Sequence, residues 1–335
     1  MTKSGSYDNG YYSVDKYNDI NSYSDRSTKT GVWYIYTVRA ANEGGRGPYI
    51  PTEKLYFLAA PELTSLEYNN KAITFKWEKV QGATGYIVYR RDLSSWNEWE
   101  KIATTKNTTY IDKSADVGVH YKYTVRAYYG SYRSHFDEAG REITILTTPK
   151  LKSVSCSKDG ATVKWNEVKG ALFYYVYRRD YDAKTKKWSG WTRVSDDVWR
   201  SEAYVDKTAK SGKYYIYTVK AFARASSDYD VSGYDKTGLK IYYLSTPSLK
   251  SATSTKSGVK LQWNKVSGAS GYKIYRKTAN SGWGEAIATV KGNSVVTYVD
   301  KTAKNGVTYT YTVRAYNGTT KSGYIPEGKT VKDKY

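Results

Sequence analysis

Nearly the same ten residues occur four times, as YIYTVRAANE at 34–43, YKYTVRAYYG at 121–130, YIYTVKAFAR at 215–224 and YTYTVRAYNG at 309–318. From Tyr36 to Tyr123, Tyr217 and Tyr311 the steps are 87, 94 and 94 residues. A repeat of that period commits the chain to a string of separately packed units, each the size of a small domain. Within a copy the apolar pattern has period two. Tyr121, Tyr123, Val125 and Ala127 fall on one side, and Lys122, Thr124 and Arg126 on the other. That alternation predicts a half-buried strand.

Other landmarks recur in step with the decamers. A Pro with a Leu two positions on opens three segments, at Pro61, Pro149 and Pro247. ITFKW, ATVKW and VKLQW follow and end at Trp77, Trp165 and Trp263. Then come a Gly-containing turn and YIVYRR (86–91), YYVYRR (174–179) or YKIYRK (272–277). Short β-branched and aromatic runs alternate with Gly, Asn, Asp and Ser, and no segment carries a helical apolar stripe. Roughly seven strands in about ninety residues describe a β-sandwich. Tyr34, Tyr121, Tyr215 and Tyr309 each stand three residues after a glycine. A Tyr at the entrance to such a strand is placed to bond its hydroxyl to the preceding connection, a tyrosine corner.

The Pro start, the Trp-bearing second strand, the VYRR third strand and the G..Y.YTVRAY.G sixth strand resemble fibronectin type III modules. They are most similar to the Tyr- and Lys-rich variants found in surface and secreted proteins of anaerobic Gram-positive bacteria. The resemblance implies an all-β chain of tandem immunoglobulin-like sandwiches in an elongated array. Its expected divisions are 60–148, 149–246 and 247–335, with 1–59 as the C-terminal part of a further module. The chain is thus expected to begin inside a module. Links such as LTTP and LSTP leave almost no free residues between modules, so hinge motion is restricted.

The net charge is +21, and it is uneven. The four segments carry +1, +1, +8 and +11 in chain order, so the excess lies in the C-terminal half. A basic end attracts anionic polymers of several kinds. No recognised nucleic-acid motif accompanies the charge, and nucleic acid is not the expected partner. No apolar run approaches the ~20 residues of a membrane span. The single cysteine, Cys156, excludes an intrachain disulfide. The chain is expected to be a monomer, without cofactor or metal.

Catalysis needs a constellation, and none is visible. His120 and His135 have no counterparts in the other copies. A carboxylate recurs at Asp25, Asp112, Asp206 and Asp300, but each stands by itself before Lys or Arg. Calcium takes about six or more oxygens, so a turn bond from the Asp side chain is the expected role. Two features suit binding. Trp96 and Trp99, Trp188 and Trp191, and Trp283 lie in the most variable stretch of each module, among Ser, Asn, Gly and Lys. Exposed indoles in such a setting suit stacking on sugar rings; the alternative is that they cover an edge strand. By alternation, Tyr89, Arg91 and Arg126 face outward with their equivalents Tyr177, Arg179 and Lys220, then Tyr275, Lys277 and Arg314. These readings and the resemblance imply a non-enzymatic spacer or adhesion segment of an extracellular or cell-surface protein, in contact with polysaccharide or anionic wall polymer. The alternative is a carbohydrate-binding accessory to a glycoside hydrolase whose catalytic domain lies outside this chain.

Overall fold

A computed structural model describes residues 6–8, 11–13, 24–69, 72–95, 97–224 and 229–335. All regular structure among them is strand. No helix among them is long and apolar enough to cross a membrane.

Three times the chain builds two facing antiparallel sheets. In module two, Leu63–Asn69, Ala72–Trp77 and Thr109–Asp112 form a three-stranded sheet with Ala72–Trp77 in the middle. The facing sheet is centred on Gly85–Asp92 and His120–Tyr129, flanked by Glu100–Thr105 and Arg141–Thr144. Module three repeats this with Ala161–Trp165 opposite Phe173–Asp182 and Lys213–Arg224. Module four repeats it with Gly258–Trp263 opposite Gly271–Lys277 and Thr308–Asn317. Module one contributes a hairpin, in which Val32–Tyr34 pairs with Leu55–Phe57 and Thr37–Val38 with Ile50–Pro51. Its aromatic residues close onto module two, where Tyr56 lies 4.4 Å from Tyr129 and Trp33 lies 5.1 Å from Tyr132.

The predicted inward face is the core. Tyr123, Tyr217 and Tyr311 occupy matching buried places, each with the Val and Ala that follow on the same face. Opposite them stand Trp77, Trp165 and Trp263, each packed on the first Tyr of the third strand at 5.2–5.4 Å. That third-strand Tyr is a brace as well as a filler. Its hydroxyl accepts the amide of Val80, Val168 or Val266 and pins the turn after the Trp strand. The tyrosine corners form in all four copies. The hydroxyls of Tyr34, Tyr121, Tyr215 and Tyr309 accept the amides of Lys29, Asp116, Lys210 and Lys304. The outward face differs from simple alternation. Thr124, Thr218 and Thr312 point away from the core yet are buried. The segment after the sixth strand folds back over them, and each hydroxyl donates to a carbonyl there, at Asp137, Asp235 and Ile325.

Adjacent modules meet glycine to glycine. Gly31, Gly118 and Gly212, just before the tyrosine-corner strands, touch Gly82, Gly170 and Gly268 of the next module's turn after the Trp strand. All six have φ near +80°, a region that L side chains avoid. A Cβ on Gly170 would stand 2.8 Å from Gly118 Cα, inside van der Waals contact. Hydrogen bonds seal two of the junctions. Thr30 and Ser211 each accept an amide of their own module and donate to Gln81 or Ser267 of the next. Tyr56 and Tyr242 donate to the carbonyls of Gly82 and Gly268.

The junction between modules two and three is built differently. Thr144 stands where the others have Tyr56 and Tyr242. Its amide donates to Asp230 Oδ2 at 2.5 Å and its hydroxyl to the Arg224 carbonyl at 2.9 Å. Both partners come from module three's long hairpin. Asp230 and Glu67 line a cavity of about 290 Å³ there, and the His120–Glu142 pair flanks the same strand end. Burial pushes the Asp230 carboxyl up to about 6 from the ordinary 3.8, only partly offset by the Thr144 amide. A raised carboxyl binds its proton more tightly when docked than when free. Docking at this junction therefore strengthens as pH falls from about 6 towards 4, and the gain is absent above 6. Hydrogen exchange at the Thr144 amide, corrected for intrinsic rate, should show more protection at pH 5 than at pH 7. Asp230→Asn should remove the difference; equal dependence in both proteins would refute it.

Candidate functional site

In each copy the recurring carboxylate is bonded through both of its oxygens. The expected turn bond forms at every copy, with Asp25, Asp112, Asp206 and Asp300 accepting the amide two residues on. Its apparent isolation in sequence does not hold. The second oxygen of Asp112 accepts from Tyr123 Oη at 2.7 Å and Arg90 at 3.0 Å. Asp206 takes Tyr217 and Arg178 in the same way, and Asp300 takes Tyr311 and Arg276. The guanidinium also lies over the tyrosine-corner ring, 4.6–4.9 Å from its centre. Burial raises each of these three carboxyls, but the Ser or Thr, Tyr and Arg bonds together outweigh burial and hold them below the ordinary carboxylate range. A fully bonded carboxylate between sheets has no free valence for a metal or substrate, so this is structural chemistry. Among the described residues no group of three or more His, Cys, Asp or Glu is placed to hold a metal ion. Cys156 is half-buried, and its sulfur accepts the Leu244 amide at 3.4 Å.

The outer face of the central strand pair carries a repeated ladder of rings and cations. In module two, Trp99 stacks on Phe136 at 5.9 Å, Phe136 meets Tyr89 edge-on at 4.9 Å, and Arg126 lies 4.8 Å from the Phe136 ring. In module three, Trp191 meets Tyr234 at 6.1 Å, Arg179 lies over Trp191, and Lys220 lies over both Tyr234 and Tyr177. In module four, Trp283 meets Tyr324 at 6.2 Å, with Lys277 over the indole and Arg314 over the tyrosine. Each exposed ring–cation contact contributes about 0.5–1 kcal/mol, so a ladder of them is a rigid strip. Sequence reasoning found the cations and the Trp but paired the strip across the two strands alone. The missing rung is Phe136, Tyr234 or Tyr324, supplied by the segment that covers the sixth strand.

The five candidate tryptophans therefore separate. Trp99, Trp191 and Trp283 are equivalent, half-buried rungs. Trp188 lies elsewhere, against Tyr181 at 5.1 Å and under Lys240. Trp96 lies outside the described residues. The most exposed indole of module three is one to which the repeat assigned nothing. Trp199 packs at 5.0 Å on Phe173, beside Tyr229. The residue before it, Val198, lines an open cleft of about 560 Å³ together with Arg193, Asp196, Asp197 and Thr208 among others.

No protein-family model matches the chain. It is 26% identical over 168 residues to Fibronectin type III domain-containing protein 7 of Mus musculus, across 49% of this chain and 21% of that protein. It is 25% identical over 311 residues to an amylopullulanase of Thermoanaerobacterium thermosulfurigenes, across 76% of this chain and 16% of that enzyme. The chain thus spans about a fifth or less of each of these relatives. Among solved structures, the FN1–FN3 domains of chicken CNTN1 match at 17% identity and a TM-score of 0.26, covering 82% of this chain and 96% of that one. The modules are fibronectin type III-like β-sandwiches in tandem.

Proposed function

We propose that this chain is a non-catalytic array whose work is to set distance and orientation between the parts of a larger extracellular or surface protein. The observation that carries this reading is the junction. Three successive contacts use the same pair of glycine turns, and in each the backbones approach too closely for any side chain. A junction of that kind holds one relative orientation, because a small rotation drives backbone into backbone. The array then transmits position along its length, which a flexible linker does not. Small-angle scattering from the purified chain should give a single extended particle with a narrow distribution of maximum dimension. A broad distribution, as from beads on a flexible string, would contradict the reading.

A second reading is that the array is an accessory that holds an enzyme against polysaccharide. It is favoured by the similarity to part of an amylopullulanase and by ring–cation strips repeated in three modules. Repetition of weak contacts raises avidity. On this reading Trp99, Trp191 and Trp283 act mainly by stiffening the strip, since each is half-covered by its neighbours.

A further inference from the structure

Module three departs from its sisters at one inconspicuous position. Phe173 stands where modules two and four have Gly85 and Gly271, and the register pairs it with Phe222 as it pairs those glycines with Tyr128 and Tyr316. In the sister modules the tyrosine ring lies down over the glycine. A Cβ on Gly85 would stand 2.5 Å from the Tyr128 hydroxyl, and one on Gly271 would stand 2.9 Å from Tyr316. In module three both positions carry rings, stacked at 5.0 Å with 5° between their planes. The result is an additional aromatic layer that the other modules lack.

That layer has a buried floor and an exposed top. Phe173 is 1% exposed and touches Tyr175, Trp199, Phe222 and Tyr229. Trp199 and Tyr229 above it are 54% and 48% exposed. Both rings are thus held at fixed places by a floor anchored in the sheet, which is the preorganisation a binding platform requires. The rim is polar. The nearby Asp197 carboxylate raises the pKa of the Tyr175 hydroxyl, and the Arg193 guanidinium lies 4.3 Å over the Tyr175 ring. Arg193 and Asp197 also line the cleft at Val198. Flat rings beside a carboxylate, a guanidinium and hydroxyls match a pyranose, whose C–H faces stack on aromatic rings while its equatorial hydroxyls donate and accept.

We infer that Trp199 and Tyr229 form a platform on which module three binds a neutral polysaccharide, with Arg193 and Asp197 meeting its hydroxyls. The inference deepens the accessory reading and is independent of the spacer reading, whose test is scattering. The experiment is adsorption of the purified full chain to granular starch, microcrystalline cellulose and chitin. The wild-type chain should be retained by at least one of them. Trp199→Ala/Tyr229→Ala should weaken that retention at least tenfold, and Arg193→Met/Asp197→Asn should weaken it several-fold with both rings left in place. Trp99→Ala/Trp191→Ala/Trp283→Ala should weaken it less than Trp199→Ala/Tyr229→Ala does; a larger loss would place the binding in the strips and overturn the inference. Retention of the wild type by none of the three solids overturns the inference. So does equal retention of the Trp199→Ala/Tyr229→Ala chain. Self-association in sedimentation equilibrium that this variant abolishes would make the platform a protein interface and overturn it as well.

Discussion

Asp206→Ala lowers the unfolding free energy of module three by about 3–5 kcal/mol, the cost of breaking a buried ion pair from one side. Asp206 is 0% exposed and accepts from Thr208, Tyr217 and Arg178 at once. Its removal leaves the Tyr217 hydroxyl facing empty space in the core, and it strips Arg178 of a partner where that side chain is 14% exposed. The Tyr217 hydroxyl cannot reach water without opening the sandwich and pays its desolvation penalty in full, whereas Arg178 keeps Asp180 and Thr208. Double substitution of Asp206→Ala with Tyr217→Phe should recover part of the loss, since it deletes the stranded hydroxyl along with its acceptor. Chemical denaturation of both variants measures this. A loss under 1 kcal/mol for Asp206→Ala would mean that the carboxylate is bystander rather than clamp. The same network sets the acid limit. The folded carboxyl lies below its unfolded value, so its contribution is complete above the unfolded pKa, near 4, and is lost as pH falls through the depressed folded one. Three modules carry the same clamp and should weaken together on acidification.

Gly268→Val separates modules three and four while leaving both folded. A Cβ at Gly268 would overlap Gly212 Cα and the Tyr242 hydroxyl, both belonging to module three. The backbone there has φ +78°, which adds about 1–3 kcal/mol of strain for a residue with a side chain. The collision is with backbone, so no rotamer relieves it. The Gly268 turn must withdraw, and the Tyr242 and Ser211 bonds across the junction go with it. Scattering from this variant should show a broader distribution of lengths, with near-UV circular dichroism from the core tryptophans unchanged. A wild-type scattering profile would show that the turn contact is incidental. Gly306→Val is the matched control, because nothing lies within 4 Å of a Cβ there. It carries the same backbone strain without the collision.

Much of this architecture could be read from local pattern, and its failures have a common cause. The inward positions of Tyr123, Val125 and Ala127 followed from alternation, since successive side chains of a strand point to opposite faces. The tyrosine corners followed from Gly-to-Tyr spacing, because a corner is closed within five residues. The Asp clamp was half legible. Its turn bond spans two residues, but Arg90 and Asp112 are 22 apart and meet only because two sheets face each other. Thr124 was read as solvent-facing because alternation says nothing about a later segment folding over the strand. The tryptophans show the same limit. Trp188 and Trp191 look alike in sequence, three residues apart, yet they join different clusters. Trp199 had no counterpart to mark it. The signal was Phe173 in place of a repeated glycine, which matters only once Phe222 and Tyr229 are known to lie beside it.

By itself, then, the order of residues decided which segments are strands, which of their faces is dry and how often the unit recurs. Those follow from backbone sterics and from burial of neighbours along one chain segment. Only the tertiary structure decided how one unit seats on the next and where rings gather at the surface. Both depend on the clearance between residues far apart in the chain, such as Phe173 against Trp199 or Gly212 against Gly268, and no local period encodes that clearance.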